Sequence, residues 1–188
     1  MIAKATTLPG AFIIEPEQFD DERGFFARGW SVQELQVLGV ESHFVEGNIS
    51  FNKKAGTLRG MHYQAMPYGQ AKLVRCTRGS IYDVGVDLRE ESETFRKWIA
   101  VELSAENRLM LYLPSQFGHG YLTLEDNTEV YYQVTKVYAA EYVRGFRWDD
   151  PAFGIQWREL DSLNINQRDR AYPDYELCLP AQPGQTRV

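Results

Sequence analysis

The residues best suited to chemistry lie in two short runs of β-forming sequence. The first run, from Gly56 to Gln64, contains Arg59 and His62, and the second begins with Lys72 ahead of an apolar stretch. His62 is one of only 3 histidines in the chain. Histidine exchanges protons near neutral pH, while lysine and arginine stabilise negative charge. This combination predicts an enzyme that moves protons on an anionic substrate.

The elements that must position these residues are mostly strands. Short β-branched and aromatic runs alternate with turn residues about every eight to twelve positions, and helical periodicity is scarce. The best candidate helix runs from Ser31 to Gly39, with a serine cap, Glu34 in its first turn and a glycine stop. The pattern predicts an all-β fold, an antiparallel jelly roll with few short helices.

The strand pattern is regular enough to give bounds. Strands are predicted at Leu73–Thr77, Ile81–Leu88, Trp98–Leu103, Arg108–Leu113 and Glu129–Val137. The third and fourth of these flank residues 104–107, which we interpret as a hairpin loop.

Strand parity predicts where two of the chemical side chains point. Alternate side chains of a strand share a face, so Tyr132 should point inward with the valines two positions before and after it. Arg59 and His62 have opposite parity, and a regular strand would separate them. Gly60 between them allows a bulge that brings both side chains to one cavity.

Length, charge and cysteine content restrict the class of protein. We expect a single domain over residues 1–188, with a core at about 12–173 and a C-terminal tail at 174–188. The net charge of −6 argues against nucleic acid as a partner, so any phosphate site must be local. No apolar run approaches the ~18 residues that a membrane helix needs, and no signal peptide is visible, so the cytoplasm is expected. Cys76 is predicted to be a core residue, and its spacing to Cys178 suggests neither a metal site nor a disulfide framework.

A series of longer motifs resembles one known family. They are Asp-Glu-Arg-Gly-Phe-Phe (21–26), Leu-Arg-Gly-Met-His-Tyr-Gln (58–64), Lys-Leu-Val-Arg-Cys (72–76), Tyr-Asp-Val-Gly-Val-Asp-Leu-Arg (82–89), Leu-Ser-Ala-Glu-Asn (103–107), Pro-Ser-Gln-Phe-Gly-His-Gly (114–120) and Arg-Trp-Asp-Asp-Pro (147–151). From about residue 12 to residue 173 the sequence resembles the dTDP-4-dehydrorhamnose 3,5-epimerases. The resemblance implies a cupin-type jelly roll, a double-stranded β-helix.

The resemblance also implies a reaction and its residues. Members of this family remove the protons at C3 and C5 of a nucleotide-linked 4-keto-6-deoxyhexose and return them from the opposite face. By resemblance, His62 is the base, Asp169 orients it, and Tyr132 is the acid. Lys72 and His119 match positions near the sugar and its ketone. A proton next to a ketone is weakly acidic, so such a site needs a base near neutral pKa and a cation for the enolate.

Further positions are implied in substrate binding. Arg23 and Arg59 match diphosphate contacts, and Asn48 matches another ligand contact. Gln64 and Arg168 are also assigned to substrate binding. The resemblance implies no cofactor, a nucleotide-sugar substrate, and a homodimer in which N-terminal residues of one copy reach the site of the other.

The chain departs from the family pattern around the expected nucleotide site. Arg28 stands where the family commonly has Glu, Glu46 and Gly47 where it has Gln-Asp, Val143 where it has Glu, and Arg168 where it has Lys. Cytosine presents an N3 acceptor that an arginine satisfies, so Arg28 facing the base would favour a CDP-linked sugar. Arg28 on phosphate or in solvent would leave the nucleotide unchanged. Arg28 is assigned to substrate binding, and the position in solvent stays open as the alternative.

Three alternative functions stay open at this point. The first is epimerisation at C3 alone, and the second is a sugar-nucleotide-binding protein without turnover. The third is a metal-dependent cupin, which usually carries a His-x-His pair. Gln64 occupies the second position of that pair here, so no metal is expected. His43 is predicted to lie at the surface, and Asp149-Asp150 to begin a turn.

Overall fold

The computed structural model describes residues 1–175, so Cys178 and residues 176–188 of the predicted tail lie outside the described part. Residues 1–175 contain two helices, α1 (Val32–Val37) and α2 (Gln167–Arg170), with a 3-10 turn at Ala140–Tyr142. The strands are β1 (Ile2–Ala5), β2 (Phe12–Glu15), β3 (Gln18–Asp21), β4 (Gly24–Ala27), β5 (Glu46–Asn52), β6 (Thr57–Gln64), β7 (Lys72–Arg78), β8 (Ser80–Asp87), β9 (Trp98–Ser104), β10 (Met110–Leu113), β11 (Phe117–Thr123), β12 (Thr128–Val134), β13 (Val143–Gly145) and β14 (Asn164–Ile165).

Two sheets make up most of the molecule. The first sheet has the strand order β1-β2-β10-β7-β12-β5, and the second has the order β13-β6-β11-β8-β9 with β14 added beside β6. Strands β3 and β4 form a separate hairpin. Among the described strands, all pairs are antiparallel except β14 with β6. The predicted all-β antiparallel jelly roll is confirmed.

The main hydrophobic core lies between the two sheets. Val74 and Leu111 of the first sheet pack with Ile81 and Leu103 of the second, and all four are fully buried. Cys76 joins this cluster, which confirms the prediction of a core cysteine. Burial raises the pKa of its thiol to about 11. Within residues 1–175 no helix is long and apolar enough to cross a membrane.

The predicted helix forms with its predicted ends. The Ser31 hydroxyl oxygen accepts a hydrogen bond from the Glu34 N–H at 3.5 Å, and Gly39 takes a left-handed φ of 72° just after the helix. Leu35 buries its side chain completely against the first sheet. Two smaller predictions are also confirmed: His43 is exposed, and the Asp150 carboxylate accepts the Ala152 N–H at 2.8 Å in a turn.

The predicted hairpin at residues 104–107 is wrong. Strand β9 pairs with β8 in the second sheet, whereas β10 pairs with β2 and β7 in the first. The Asn107 side chain accepts the Ser104 N–H at 3.0 Å, which produces the tight turn that the sequence suggested. That turn carries the chain from one sheet to the other, because turn residues specify a reversal of direction and not the partner of the next strand.

Strand β12 ends earlier than predicted. It stops at Val134, and the carbonyl groups of Lys136 and Val137 accept hydrogen bonds from the side-chain amides of Gln70 and Gln64. Side chains therefore replace the backbone ladder in this segment.

The predicted bulge in β6 is confirmed. His62 pairs with His119 of β11, and Arg59 pairs with Tyr121, so β6 has one residue more than β11 between these pairs. Gly60 in this bulge has a φ of 131°. A side chain at this position would place its Cβ 2.6 Å from the Gly120 Cα. The bulge therefore depends on glycine for both conformation and space.

We predict that Gly60→Ala is destabilising because its Cβ would meet the backbone of β11. Gly24 has a similar φ of 129°, but a Cβ added there would meet nothing within 4 Å, which makes Gly24→Ala the matched control. Gly60→Ala should lower the free energy of unfolding by about 1–3 kcal/mol more than Gly24→Ala. Urea denaturation of the three proteins measures this, and equal losses would show that the close approach is unimportant.

Candidate active site

A cavity of about 280 Å³ lies between the two sheets. This volume is near the lower limit of small-molecule sites and suits a hexose ring. The second sheet supplies wall residues from β6 and β11, and the first sheet supplies them from β7 and β12. The predicted residues that line it are Arg59, His62, Gln64, Lys72, His119, Tyr132 and Arg168.

His62 is held by a buried carboxylate. Its Nε2 lies 2.8 Å from Asp169 Oδ1, and Asp169 is only 1% exposed. The second oxygen, Oδ2, accepts the Gly60 N–H at 3.1 Å. Burial by itself raises the pKa of Asp169, but the hydrogen bonds from His62 and Gly60 outweigh it and lower the pKa. An ionised carboxylate only accepts, so Nε2 carries the proton and Nδ1 is free to act as a base.

The C-terminal segment brings Asp169 to this position. Strand β14 pairs in parallel with the start of β6, and α2 follows directly. The Asn166 side chain caps α2 by accepting the Asp169 N–H at 2.7 Å. The cap fixes the first turn of the helix, and with it the direction of the carboxylate toward His62.

A second histidine–carboxylate pair lies deeper in the cavity. His119 Nε2 is 2.8 Å from Asp83 Oδ1, and Asp83 is completely buried on β8. Burial lowers the pKa of His119 more than the charge and hydrogen bond of Asp83 raise it. His119 is therefore a neutral ring at neutral pH, with Nε2 as its donor.

Lys72 places a buried amine in the wall opposite these histidines. The residue is 8% exposed, and Nζ donates a long hydrogen bond of 3.4 Å to the His62 carbonyl oxygen. Burial lowers the pKa of this amine to about 8, and the charge of Asp83 partly opposes that effect. Lys72 is still mainly an ammonium at pH 7.

Tyr132 points into the cavity, as strand parity predicts. Its pKa is raised, first by burial and then by Tyr121 beside it. The Tyr121 hydroxyl lies 2.8 Å from the Ser50 hydroxyl, so Tyr121 is anchored at the cavity wall. Asn48 is the direct cross-strand partner of Tyr132 on β5. Asn48 is half-buried and is not part of the cavity lining.

Two arginines provide positive charge at the cavity. Arg59 Nε donates to the Asn52 side-chain oxygen at 2.8 Å, and Arg168 Nε donates to the Tyr172 hydroxyl at 3.0 Å. Each contact fixes one edge of a guanidinium and leaves other N–H groups for an anion.

Gln64 has a structural position within the lining. Its amide donates to the Tyr68 and Val137 carbonyls at 2.8 and 3.2 Å and accepts the Ala139 N–H at 2.8 Å. These bonds hold the segment that carries Tyr138, another lining residue. A direct contact of Gln64 with substrate stays a prediction.

The structure does not bring Arg23 and Arg28 to the cavity of the same chain. Arg23 is exposed at the β3–β4 turn, where its backbone N–H and its Nε donate to Asp21. Arg28 is exposed and donates to Glu34 at 3.0 Å. Their substrate contacts stay predictions.

Sequence reasoning missed several residues at the cavity and behind it. Tyr121 and Tyr138 line the cavity and Asp83 lies behind His119, yet none of the three was given a role. Asp83 is one of two acidic residues in the largely apolar run of β8, which is the signal that could have marked it. In the described residues no three His, Cys, Asp or Glu side chains come together as potential metal ligands.

Comparison with known proteins decides the family. A sequence model described as dTDP-4-dehydrorhamnose 3,5-epimerase matches residues 5–176. The chain belongs to the dTDP-4-dehydrorhamnose 3,5-epimerase family. It is therefore an isomerase by family, and the resemblance seen in its motifs is confirmed.

Individual epimerases are similar over nearly the whole chain. The dTDP-4-dehydrorhamnose 3,5-epimerase of Methanothermobacter thermautotrophicus is 46% identical over 88% of this chain and 89% of its own length. The crystal structure of the Elizabethkingia anophelis epimerase has a TM-score of 0.91 and 38% identity, covering 94% of this chain and 97% of that one. The Legionella pneumophila dTDP-6-deoxy-D-glucose-3,5-epimerase, solved with dTDP-4-keto-L-rhamnose, has a TM-score of 0.88 and 33% identity, covering 94% and 93%.

We predict that Lys72→Met stabilises this epimerase at pH 7. Lowering the amine pKa from 10.5 to about 8 corresponds to roughly 3 kcal/mol of destabilisation, which is complete below pH 8 and is relieved as the pH rises toward 10.5. Loss of the charge partner of Asp83 offsets part of the gain. We expect about 1–3 kcal/mol more stability at pH 7, and less at pH 10.

Urea denaturation at both pH values measures this difference. Lys54→Met is the control, because Lys54 is exposed and pairs with Asp126 at the surface. A destabilised Lys72→Met protein at pH 7 would contradict the prediction.

Proposed function

We propose that this protein epimerises dTDP-4-dehydro-6-deoxyglucose at C3 and C5 to give dTDP-4-dehydrorhamnose. The observation that carries the proposal is the placement of base and acid. His62 comes from β6 in the second sheet, and Tyr132 comes from β12 in the first, and both line one cavity. A sugar ring between the sheets would have one residue on each face, which is what inversion of a carbon centre requires.

The proposed reaction begins with His62. Its Nδ1 takes the proton from C3, and the C–H electron pair moves through C4 to give an enolate oxygen. The Lys72 ammonium stabilises that negative charge in a buried site, where electrostatic interactions are stronger than in water. Tyr132 then gives its hydroxyl proton to C3 on the opposite face, and the ketone is restored. Solvent reprotonates Tyr132 and takes the proton from His62 before the same sequence occurs at C5.

The protonation states of the ligand-free cavity suit this sequence. Asp169 is ionised, so it favours the imidazolium that forms when His62 accepts a proton. Burial keeps Tyr132 protonated at neutral pH, since it raises the pKa of the hydroxyl, so this residue is available as an acid. Arg59 and Arg168 at the cavity are the proposed diphosphate contacts. The 280 Å³ cavity holds the sugar, and the nucleotide would lie at its mouth.

We predict that the ligand exchanges two carbon-bound protons with solvent. Incubation of the protein with dTDP-4-keto-6-deoxyglucose in D2O should place deuterium at C3 and C5. NMR measures this as the loss of the H3 and H5 signals. His62→Ala should slow this exchange by about 10²–10⁴-fold, because the base is lost. Tyr132→Phe should still exchange at C3 but should give no inverted product, because the opposite-face acid is lost.

The exposed His43 provides the matched control, and His43→Ala should behave as the wild type. Deuterium at C3 alone would replace the proposal with a C3 epimerase. Absence of exchange would overturn the dTDP-sugar assignment, and the CDP-linked sugar would then separate altered specificity from a binding protein.

The assembly and location of the protein are also proposals. We propose one domain per chain, a homodimer and a cytoplasmic enzyme. Strand β5 is an edge strand with Ile49 and Phe51 exposed, and the β3–β4 hairpin exposes Phe19 and Phe26. Exposed apolar side chains beside an unpaired strand edge are typical of a protein–protein interface. The hairpin also carries Arg23, so a second copy could bring that cation to this cavity.

A mixed-dimer experiment tests this arrangement. Arg23→Ala and His62→Ala chains should each have low activity alone. If Arg23 acts in the cavity of its partner, a co-expressed heterodimer contains one complete site and should recover up to about half of the wild-type rate per dimer. If Arg23 acts in its own chain, neither site is complete and activity stays low. A monomer in analytical ultracentrifugation would exclude the dimer.

A further inference from the structure

Asp83 is a buried carboxylate that the proposed reaction does not use. It is fully buried on β8, and its Oδ1 accepts the His119 Nε2–H at 2.8 Å. Its other oxygen, Oδ2, is buried and has no hydrogen-bond partner among residues 1–175. A buried carboxylate oxygen without a donor is costly. Such a feature needs an explanation beyond packing, because an amide or an apolar residue would fill the same space at lower cost.

Lys72 is an incompletely paired cation facing the same cavity. Its one hydrogen bond to the described residues is the 3.4 Å contact with the His62 carbonyl oxygen, and it forms no ion pair with them. Lys72 lies on β7 of the first sheet and Asp83 on β8 of the second. By strand alternation Lys72 shares the face of Val74, and Asp83 shares the face of Ile81. Val74 and Ile81 pack in the core between the sheets, so the two opposite charges point into the same interior. Each charge would stabilise the other in the interior, although the two form no ion pair within residues 1–175.

The other charged and titratable groups around Lys72 do not supply this compensation. Asp169 already accepts hydrogen bonds from His62 and Gly60. His62, His119 and Arg59 are neutral or positive, and thus do not favour a second cation. Burial keeps the hydroxyl groups of the two neighbouring tyrosines, at 121 and 132, protonated, because it raises the pKa of both.

We propose that Asp83 is a positioning residue whose negative charge, fixed in place by His119, keeps Lys72 an ammonium in the ligand-free cavity. The link to catalysis rests on the proposed epimerase function, because there the ammonium stabilises the enolate. The protonation state of Lys72 is a property of the protein without substrate. In agreement, Asp83 is the charge that raises the pKa of Lys72 against the effect of burial.

The decisive variant is Asp83→Asn, which keeps the size and the hydrogen-bond acceptor for His119 but removes the charge. Protein labelled with ¹³C-lysine would be titrated without ligand, and Lys72→Met assigns the Lys72 ε-carbon signal. The wild-type midpoint is expected near pH 8. Asp83→Asn should lower it by about one pH unit or more. An unchanged midpoint in the folded variant would overturn the proposal.

Two further variants keep the result interpretable. Asp126→Asn removes the exposed partner of Lys54 and should leave the Lys72 midpoint unchanged. Asp83→Glu retains the charge and should hold the midpoint above that of Asp83→Asn, which a purely structural role would not produce. If Asp83→Asn fails to fold, Asp83→Glu and Asp83→Ser are compared instead, and equal midpoints in that pair would also overturn the proposal.

A kinetic measurement separates this inference from the proposed function. The rate of deuterium exchange should fall at high pH, where Lys72 loses its proton. In Asp83→Asn this fall should begin at a lower pH than in the wild type. If the exchange rates of the two proteins fall at the same pH, the catalytic link of Asp83 is disproved, even though the exchange itself is observed. A wild type that exchanges no protons would overturn the proposed function, whereas the lysine titration would still decide the role of Asp83.

Discussion

The two hydrogen bonds accepted by Asp169 are the interaction on which the candidate site depends. One oxygen takes the Gly60 N–H inside the β6 bulge, and the other takes the His62 ring N–H. The same carboxylate thus fixes the irregular backbone of β6 and the histidine that the irregularity exposes. It lies in the C-terminal segment, far along the chain from β6, so this segment is a working part of the site. A site that needed only a cavity between sheets would not require this segment.

Around the cavity, apolar packing surrounds charged side chains whose burial lowers the stability of the fold. The first sheet buries Lys72 and the second buries Asp83, and the contacts that hold the two sheets together around them are mainly apolar. Removing charges from water is unfavourable, and the lowered pKa of Lys72 reports that cost. The fold therefore loses some stability in order to keep a cation in a buried position at the cavity.

Local sequence rules predicted the features that depend on neighbouring residues. Tyr132 points inward because strand parity fixes it, and Gly60 bulges because no other residue fits its conformation and space. The capped helix at Ser31 follows in the same way. The hairpin at residues 104–107 was wrong because the partner of a strand is chosen by long-range packing, which a turn does not encode. Asp83 was missed for a related reason: its role depends on His119 and Lys72, which reach it only through the fold.

The distribution of charge explains how an acidic protein can hold an anionic substrate. Within the described residues, the cavity lining contains Arg59, Lys72 and Arg168 and no carboxylate. The two carboxylates that matter, Asp83 and Asp169, lie behind histidines and are turned away from the cavity by hydrogen bonds. Charges separated by more than a Debye length, about 8 Å at physiological salt, are largely screened at the surface. The net charge of −6 therefore has little influence inside, where the nearest groups are cations. The histidines stand between the cavity and the buried acids, so the site stays positive toward its ligand while each acid still orients the ring in front of it.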